Sequence, residues 1–68
     1  MTTSEFNDLE LPLFSEIIIE DADNKLNFAT YLGDWNPKFG TFSVMSHEGR
    51  EEQVVNIKVI NNIQINRK

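Results

Sequence analysis

The stretch Lys25–Ser46, KLNFATYLGDWNPKFGTFSVMS, decides the fold. Its two ends alternate with a period of two residues, which is typical of β-strands with one buried face. Between them, Asn36 and Pro37 form a turn signal, and proline is excluded from the middle of a central strand. The stretch therefore predicts a hairpin. On its first strand, one predicted face carries Leu26, Phe28, Thr30 and Leu32, and the other carries Asn27, Ala29 and Tyr31.

Similar alternation on both sides of the hairpin predicts five strands in all. They are expected at about residues 15–21, 25–33, 39–46, 51–60 and 63–66. A two-residue hairpin at Asn61 and Asn62 would place the apolar face of one strand against the polar face of the next. We therefore predict a sharp corner there, as found before the last strand of small barrels.

The sequence thus predicts an all-β fold. We expect a small five-stranded antiparallel barrel, which resembles SH3-like and Sm-like barrels in strand number and spacing. The alternative is an open antiparallel sheet of four or five strands. Residues 1–14 are predicted to be an acidic lead-in and residues 15–68 the barrel domain. The lead-in begins with a short helical turn, given the capping-box spacing of Thr2 and Glu5, or is extended. Predicted core residues are Phe28, Phe42 and Ile57.

The amino-acid composition excludes several kinds of site and chemistry. The 68 residues carry a net charge of −5 and no cysteine, which excludes disulfides, thiolate zinc sites and thiol chemistry. No basic or long apolar leading segment is present, so we expect a cytoplasmic chain without a signal peptide or membrane span. His47 is the sole histidine, and no spacing fills the roles of an active site. We predict no enzymatic activity, no metal and no cofactor.

Two groups of residues are predicted to bind a partner. An aromatic and cationic patch is expected around the hairpin loop, because tryptophan and tyrosine dominate interface hot spots. Its members are Tyr31, Asp34, Trp35, Lys38 and Phe39. The alternative is that Trp35 folds back to fill an open end of the barrel. An acidic surface that steers basic partners is formed by Glu16, Glu20, Asp21 and Asp23, unless these charges serve solubility alone.

These features predict a non-enzymatic interaction module. We expect it to bind another macromolecule, a protein in the first place, as an adaptor or inhibitor of a larger machine that handles nucleic acid. One alternative is a single-stranded RNA- or DNA-binding barrel, with bases stacked on the loop aromatics and phosphates bound by Lys25, Lys38 and Arg50. Another is a structural subunit of a homo-oligomer.

Overall fold

The computed structural model describes residues 1–66, and its five strands match the predicted ones in number and approximate position. The elements are α1 (Thr3–Leu9), β1 (Glu16–Asp21), β2 (Leu26–Asn36), β3 (Thr41–Ser46), β4 (Glu52–Asn56), a 3₁₀ turn (Ile57–Val59) and β5 (Ile60–Ile65). The all-β class is confirmed. The last two residues of the predicted 15–68 domain lie outside the described part of the chain.

The strands form one antiparallel sheet in the order β4-β3-β2-β1-β5. The sheet is not closed, because β4 and β5 occupy its two opposite edges. A closed barrel is therefore not confirmed, and the open five-stranded sheet describes the observed pairing. The chain nevertheless passes from one edge to the other through only the three residues of the 3₁₀ turn.

The corner before the last strand exists, but it lies earlier than predicted. It is formed by Ile57–Val59 rather than by Asn61 and Asn62, which are part of β5. The Asn56 side chain caps this turn, since its Oδ1 accepts a hydrogen bond from the backbone N–H of Lys58 at 2.9 Å. An asparagine that bonds the backbone two residues ahead favours a turn over a continuing strand. This local bond explains why the strand ends at residue 56.

The core lies on one face of the sheet. Its buried apolar residues are Phe6, Ile17, Ile19, Ala29, Tyr31, Phe42, Val44, Ile57, Ile60 and Ile63. The predicted burial of Phe42 and Ile57 is confirmed. The prediction for Phe28 is wrong, because this side chain is 47% exposed. Ala29 pairs with the buried Ile17, and paired residues share a face, so the alternate residue Phe28 must lie on the other face.

The N-terminal helix packs onto the same core. The capping box is confirmed: the N–H of Glu5 donates to Thr2 Oγ1 at 3.1 Å, and the N–H of Thr2 donates to Glu5 Oε1 at 2.9 Å. Phe6 anchors the helix, with its ring centroid 4.8 Å from that of Phe42. The helical alternative for the start of the lead-in is therefore the observed one, and side chains from both sides of the boundary at residue 14 share one core.

Candidate functional site

The residues of the predicted hairpin-loop patch do not form one surface: some pack into the core and others are exposed. Tyr31 is buried with only 6% of its surface exposed, so its predicted outward direction is wrong. It shares a face with Ala29, which pairs with Ile17. Burial, and to a smaller extent the Asp34 carboxylate, raise the pKa of the Tyr31 phenol. This side chain belongs to the core.

Trp35 also packs inward. Its ring centroid lies 4.1 Å from that of Phe6, and its Nε1 donates a hydrogen bond to Asn7 Oδ1 at 3.1 Å. It is half-buried and packs against the core cluster. The structure therefore supports the alternative in which Trp35 covers one end of the sheet.

The remaining loop residues are exposed. Asp34 has a left-handed backbone with φ of 54°, and it follows Gly33 at an irregularity in the pairing of β2 with β3. Lys38 Nζ lies 5.6 Å from the centroid of the Phe39 ring, and 62% of Phe39 is exposed. Of the predicted aromatic patch, only Phe39 is thus presented fully to solvent, beside Lys38.

The residues of the predicted acidic surface also separate into two groups, two within β1 and two at the turn that follows it. Glu16 and Glu20 lie on β1 and alternate with the buried Ile17 and Ile19, so they belong to the face of the sheet that points away from the core. Asp21 is committed to the following turn, where its carboxylate accepts hydrogen bonds from the backbone N–H groups of residues 23 and 25. Asp23 is an exposed turn residue.

The outward face of β1 and β2 contains the apolar residues that sequence reasoning missed. Phe28 pairs with Ile18 and Leu26 pairs with Glu20. Leu26 is 59% exposed and Phe28 is 47% exposed. We name the surface formed by Glu16, Ile18, Glu20, Leu26 and Phe28 the β1–β2 face. The available sequence signal was Ile18, which strand alternation places on the same face as Glu16 and Glu20.

His47 borders this face. Its backbone N–H donates to the carbonyl of Phe28 at 3.0 Å, and its Nε2 lies 2.9 Å from Thr30 Oγ1. Thr30 is in turn the partner of Glu16 across β1 and β2. The imidazole is therefore held at the rim of the β1–β2 face by the outward hydroxyl of β2.

Among the described residues, the charged groups of the β1–β2 face are both carboxylates. They lie beside three apolar side chains, and the facing positions of β5 are the neutral amides Asn62 and Gln64. No outward position of the described strands carries lysine or arginine. A negatively charged rim around an exposed phenylalanine is complementary to an apolar side chain surrounded by cations.

Among residues 1–66, no group of three or more His, Asp or Glu side chains is arranged to hold a metal ion. Within the same residues, no helix is long and apolar enough to cross a membrane.

Comparisons with family models, with curated proteins and with solved structures gave no match to this chain. Function is therefore inferred from the chemistry of the surfaces themselves.

Proposed function

We propose that this chain is a non-enzymatic protein-interaction module that binds through the β1–β2 face. The observation that carries the proposal is the exposure of Phe28 and Leu26 next to Ile18, flanked by Glu16 and Glu20. Burial of large apolar side chains under a partner removes them from water, and this lowers the free energy of the complex. The expected partner is a protein whose surface presents an apolar side chain among lysines or arginines.

The charges of the face define how such a partner would bind. Carboxylates at the rim accelerate encounter with a basic surface and suppress acidic competitors, while the apolar centre supplies the affinity. A basic partner suits an adaptor or inhibitor of a larger machine that handles nucleic acid, since such machines present lysine- and arginine-rich surfaces. We place this activity in the cytoplasm, a proposal supported by the absence of cysteine.

Capture of proteins from nuclease-treated lysate by the immobilised chain tests the proposal. Phe28→Thr keeps a residue that favours strands and removes the ring, so it should weaken capture of the specific partner roughly thirtyfold, as expected for a hot-spot residue. Glu16→Gln with Glu20→Gln should weaken it further at low salt. Phe39→Thr is the matched control, because it removes an even more exposed ring elsewhere and should leave capture unchanged. Equal capture by the wild type and Phe28→Thr would refute the proposal.

We also propose that the sheet has the shape of a small SH3-like barrel that is incompletely closed. A cleft of about 210 Å³ supports this, because residues of all five strands line it. Val55 of β4 and Ile60 of β5, from opposite edges of the sheet, lie on the same cleft. Such a cleft requires strong curvature of the sheet.

A second candidate function, a subunit of a homo-oligomer, is favoured by the two free edges. β4 and β5 each have a strand neighbour on one side only, and Val54 on β4 is 72% exposed. Edge strands with unpaired backbone groups pair readily with another chain. Sedimentation of the isolated chain at increasing concentration tests this: concentration-dependent oligomers that Val54→Pro abolishes would support it, and a strict monomer would refute it.

A further inference from the structure

A groove on a different part of the molecule has the opposite charge character from the β1–β2 face. It measures about 670 Å³ and lies between the β2–β3 loop and the 3₁₀ turn. We name it the Phe39 groove after its most exposed ring. Its lining includes Pro37, Lys38, Phe39, Thr41, Asn56 and Lys58. Among the described residues that line it there is no Asp or Glu, although the whole chain has eleven acidic residues against six basic ones.

The two lysines are presented by turns that are tied together. On one side, Asn36 Oδ1 accepts the backbone N–H of Lys38 at 3.1 Å and forms the loop. On the other side, Asn56 Oδ1 accepts the N–H of Lys58 at 2.9 Å. Asn56 Nδ2 then donates to the carbonyl of Phe39 at 3.3 Å. A single asparagine thus connects the two turns.

A second link fixes the floor of the groove. The N–H of Ile57 donates to the carbonyl of Gly40 at 2.8 Å. Gly40 has φ of +68°, and a Cβ at this position would lie 3.2 Å from Ile57 Cγ1. The left-handed backbone favours glycine here, and a larger residue would also force Ile57 to shift by a few tenths of an ångström. The buried Ile57 anchors this floor to the core, so the lysines and Phe39 project from a fixed base.

We propose that the Phe39 groove binds a short segment of single-stranded nucleic acid. A base stacks on the Phe39 ring, which is 62% exposed, and the flanking phosphates meet the ammonium groups of Lys38 and Lys58. The ammonium of Lys38 lies 5.6 Å from the ring centroid, so a base on this ring brings its phosphate close to a cation. Stacking on an exposed aromatic beside cations is the usual basis of single-strand binding.

A strand fits the groove better than a free nucleotide. The groove presents its lysines on two separate turns, so they can meet two different phosphates of one strand. A mononucleotide would instead have to be held by one stacking contact and one ion pair. This site is independent of the β1–β2 face and shares none of its residues.

Fluorescence anisotropy of labelled oligo-uridine with the full chain tests the proposal. Two phosphate contacts predict that the logarithm of the association constant falls with the logarithm of salt concentration with a slope of about −1.4. Lys38→Gln or Lys58→Gln should each reduce this slope to about −0.7. Phe39→Thr should weaken binding about 5- to 150-fold, as loss of one stacked base does.

Matched variants separate this site from general charge effects. Lys25→Gln removes the same charge from an exposed position outside the groove and should leave both affinity and slope unchanged. Phe28→Thr should also bind oligo-uridine like the wild type, so failure of this proposal is distinguishable from failure of the protein-interaction proposal. Absence of binding at low salt, an equal effect of Lys25→Gln and Lys38→Gln, or equal binding of uridine monophosphate would each overturn the proposal.

Discussion

Phe28 lies directly opposite Ile18 in the antiparallel pair of β1 and β2, on the face that points away from the core. This pair places an exposed aromatic ring beside an isoleucine on a face that also carries Leu26 and two glutamates. Cross-strand aromatic and β-branched pairs stabilise a sheet by about 0.2–1 kcal/mol, which is too little to require a half-exposed phenylalanine for folding. The contribution of this pair to the proposed partner contact can therefore be tested separately from folding.

The first prediction separates the structural phenylalanine from the surface one. Phe42 is fully buried, so Phe42→Ala should lower the free energy of unfolding by about 3–5 kcal/mol, an amount that can unfold so small a domain. Phe28→Ala should cost much less, because nearly half of its surface is already in water. Urea denaturation followed by circular dichroism measures both. Equal losses would contradict the facing assigned to β2.

The second prediction concerns the pKa of Tyr31. Burial is the main cause that raises it, and the nearby Asp34 carboxylate adds to it. As this is the sole tyrosine, phenolate absorbance reports on it directly. Its pKa should exceed the ordinary value of about 10 in the folded chain and return to it in urea. Asp34→Asn should lower the folded-state pKa without abolishing the shift.

The raised pKa of Tyr31 also fixes the sign of a stability change. A group that holds its proton more tightly when folded stabilises the fold fully below the unfolded-state pKa, and this stabilisation is lost as pH rises through the folded-state pKa. The melting temperature should therefore fall above about pH 10. A Tyr31 that titrates identically in buffer and in urea would show that the ring is exposed.

The third prediction concerns the stability of the fold at acidic pH. The carboxylate of Asp21 accepts backbone hydrogen bonds from Asp23 and Lys25 at 2.9 and 3.0 Å and one from Asn27 Nδ2 at 3.2 Å. These hydrogen bonds hold the pKa of the Asp21 carboxyl below its ordinary value, and the bond from Lys25 has the largest effect. A lowered folded-state pKa stabilises the fold above the unfolded-state pKa of about 3.9, and the contribution is lost as pH falls through the folded-state value.

Asp21→Asn should consequently flatten the acid limb of a plot of melting temperature against pH. Asp23→Asn is the matched control, since it removes a charge from the same turn but keeps the carboxylate that accepts these bonds. It should retain more of the wild-type slope. Identical acid limbs for the wild type and Asp21→Asn would contradict the role assigned to this carboxylate.

The fourth prediction concerns the docking of α1. Asn7→Ala removes the acceptor of the Trp35 Nε1 hydrogen bond and should lower the free energy of unfolding by about 0.5–1.5 kcal/mol. Asp8→Ala, one residue further along the same helix, serves as the control and should not destabilise the chain. Fluorescence of the single tryptophan follows both transitions. A loss in Asp8→Ala equal to that in Asn7→Ala would rule out a specific role for the bond.

Much of the fold was predictable because it depends on local signals. Period-two alternation and turn residues located all five strands, and the spacing of Thr2 and Glu5 located the helix. The facing of β2 was not predictable from its own residues, since Phe28 and Tyr31 are both large and apolar and lie on opposite faces. Pairing of Ala29 with Ile17 decides between them, and this pairing is a long-range property.

The candidate site was harder to predict than the fold for the same reason. Tyr31 and Trp35, the aromatic residues nearest the loop, were predicted to bind a partner. In the structure, Phe6 of the N-terminal helix packs against both of them. Once they are covered, Leu26 and Phe28 are among the large apolar residues that remain exposed. The glutamates of β1 were recognised in sequence, but their apolar neighbours depend on the register between the two strands.

Site-specific photo-crosslinking tests the central claim most directly. Benzoylphenylalanine placed at Phe28 reacts only with groups that touch the β1–β2 face, and the same residue at Phe39 serves as the control. In nuclease-treated lysate, the Phe28 position should give one discrete protein adduct that excess unlabelled chain suppresses, and the Phe39 position should not give that adduct. Absence of an adduct at Phe28, or the same adduct from both positions, would contradict the assignment of this face as the protein-binding surface.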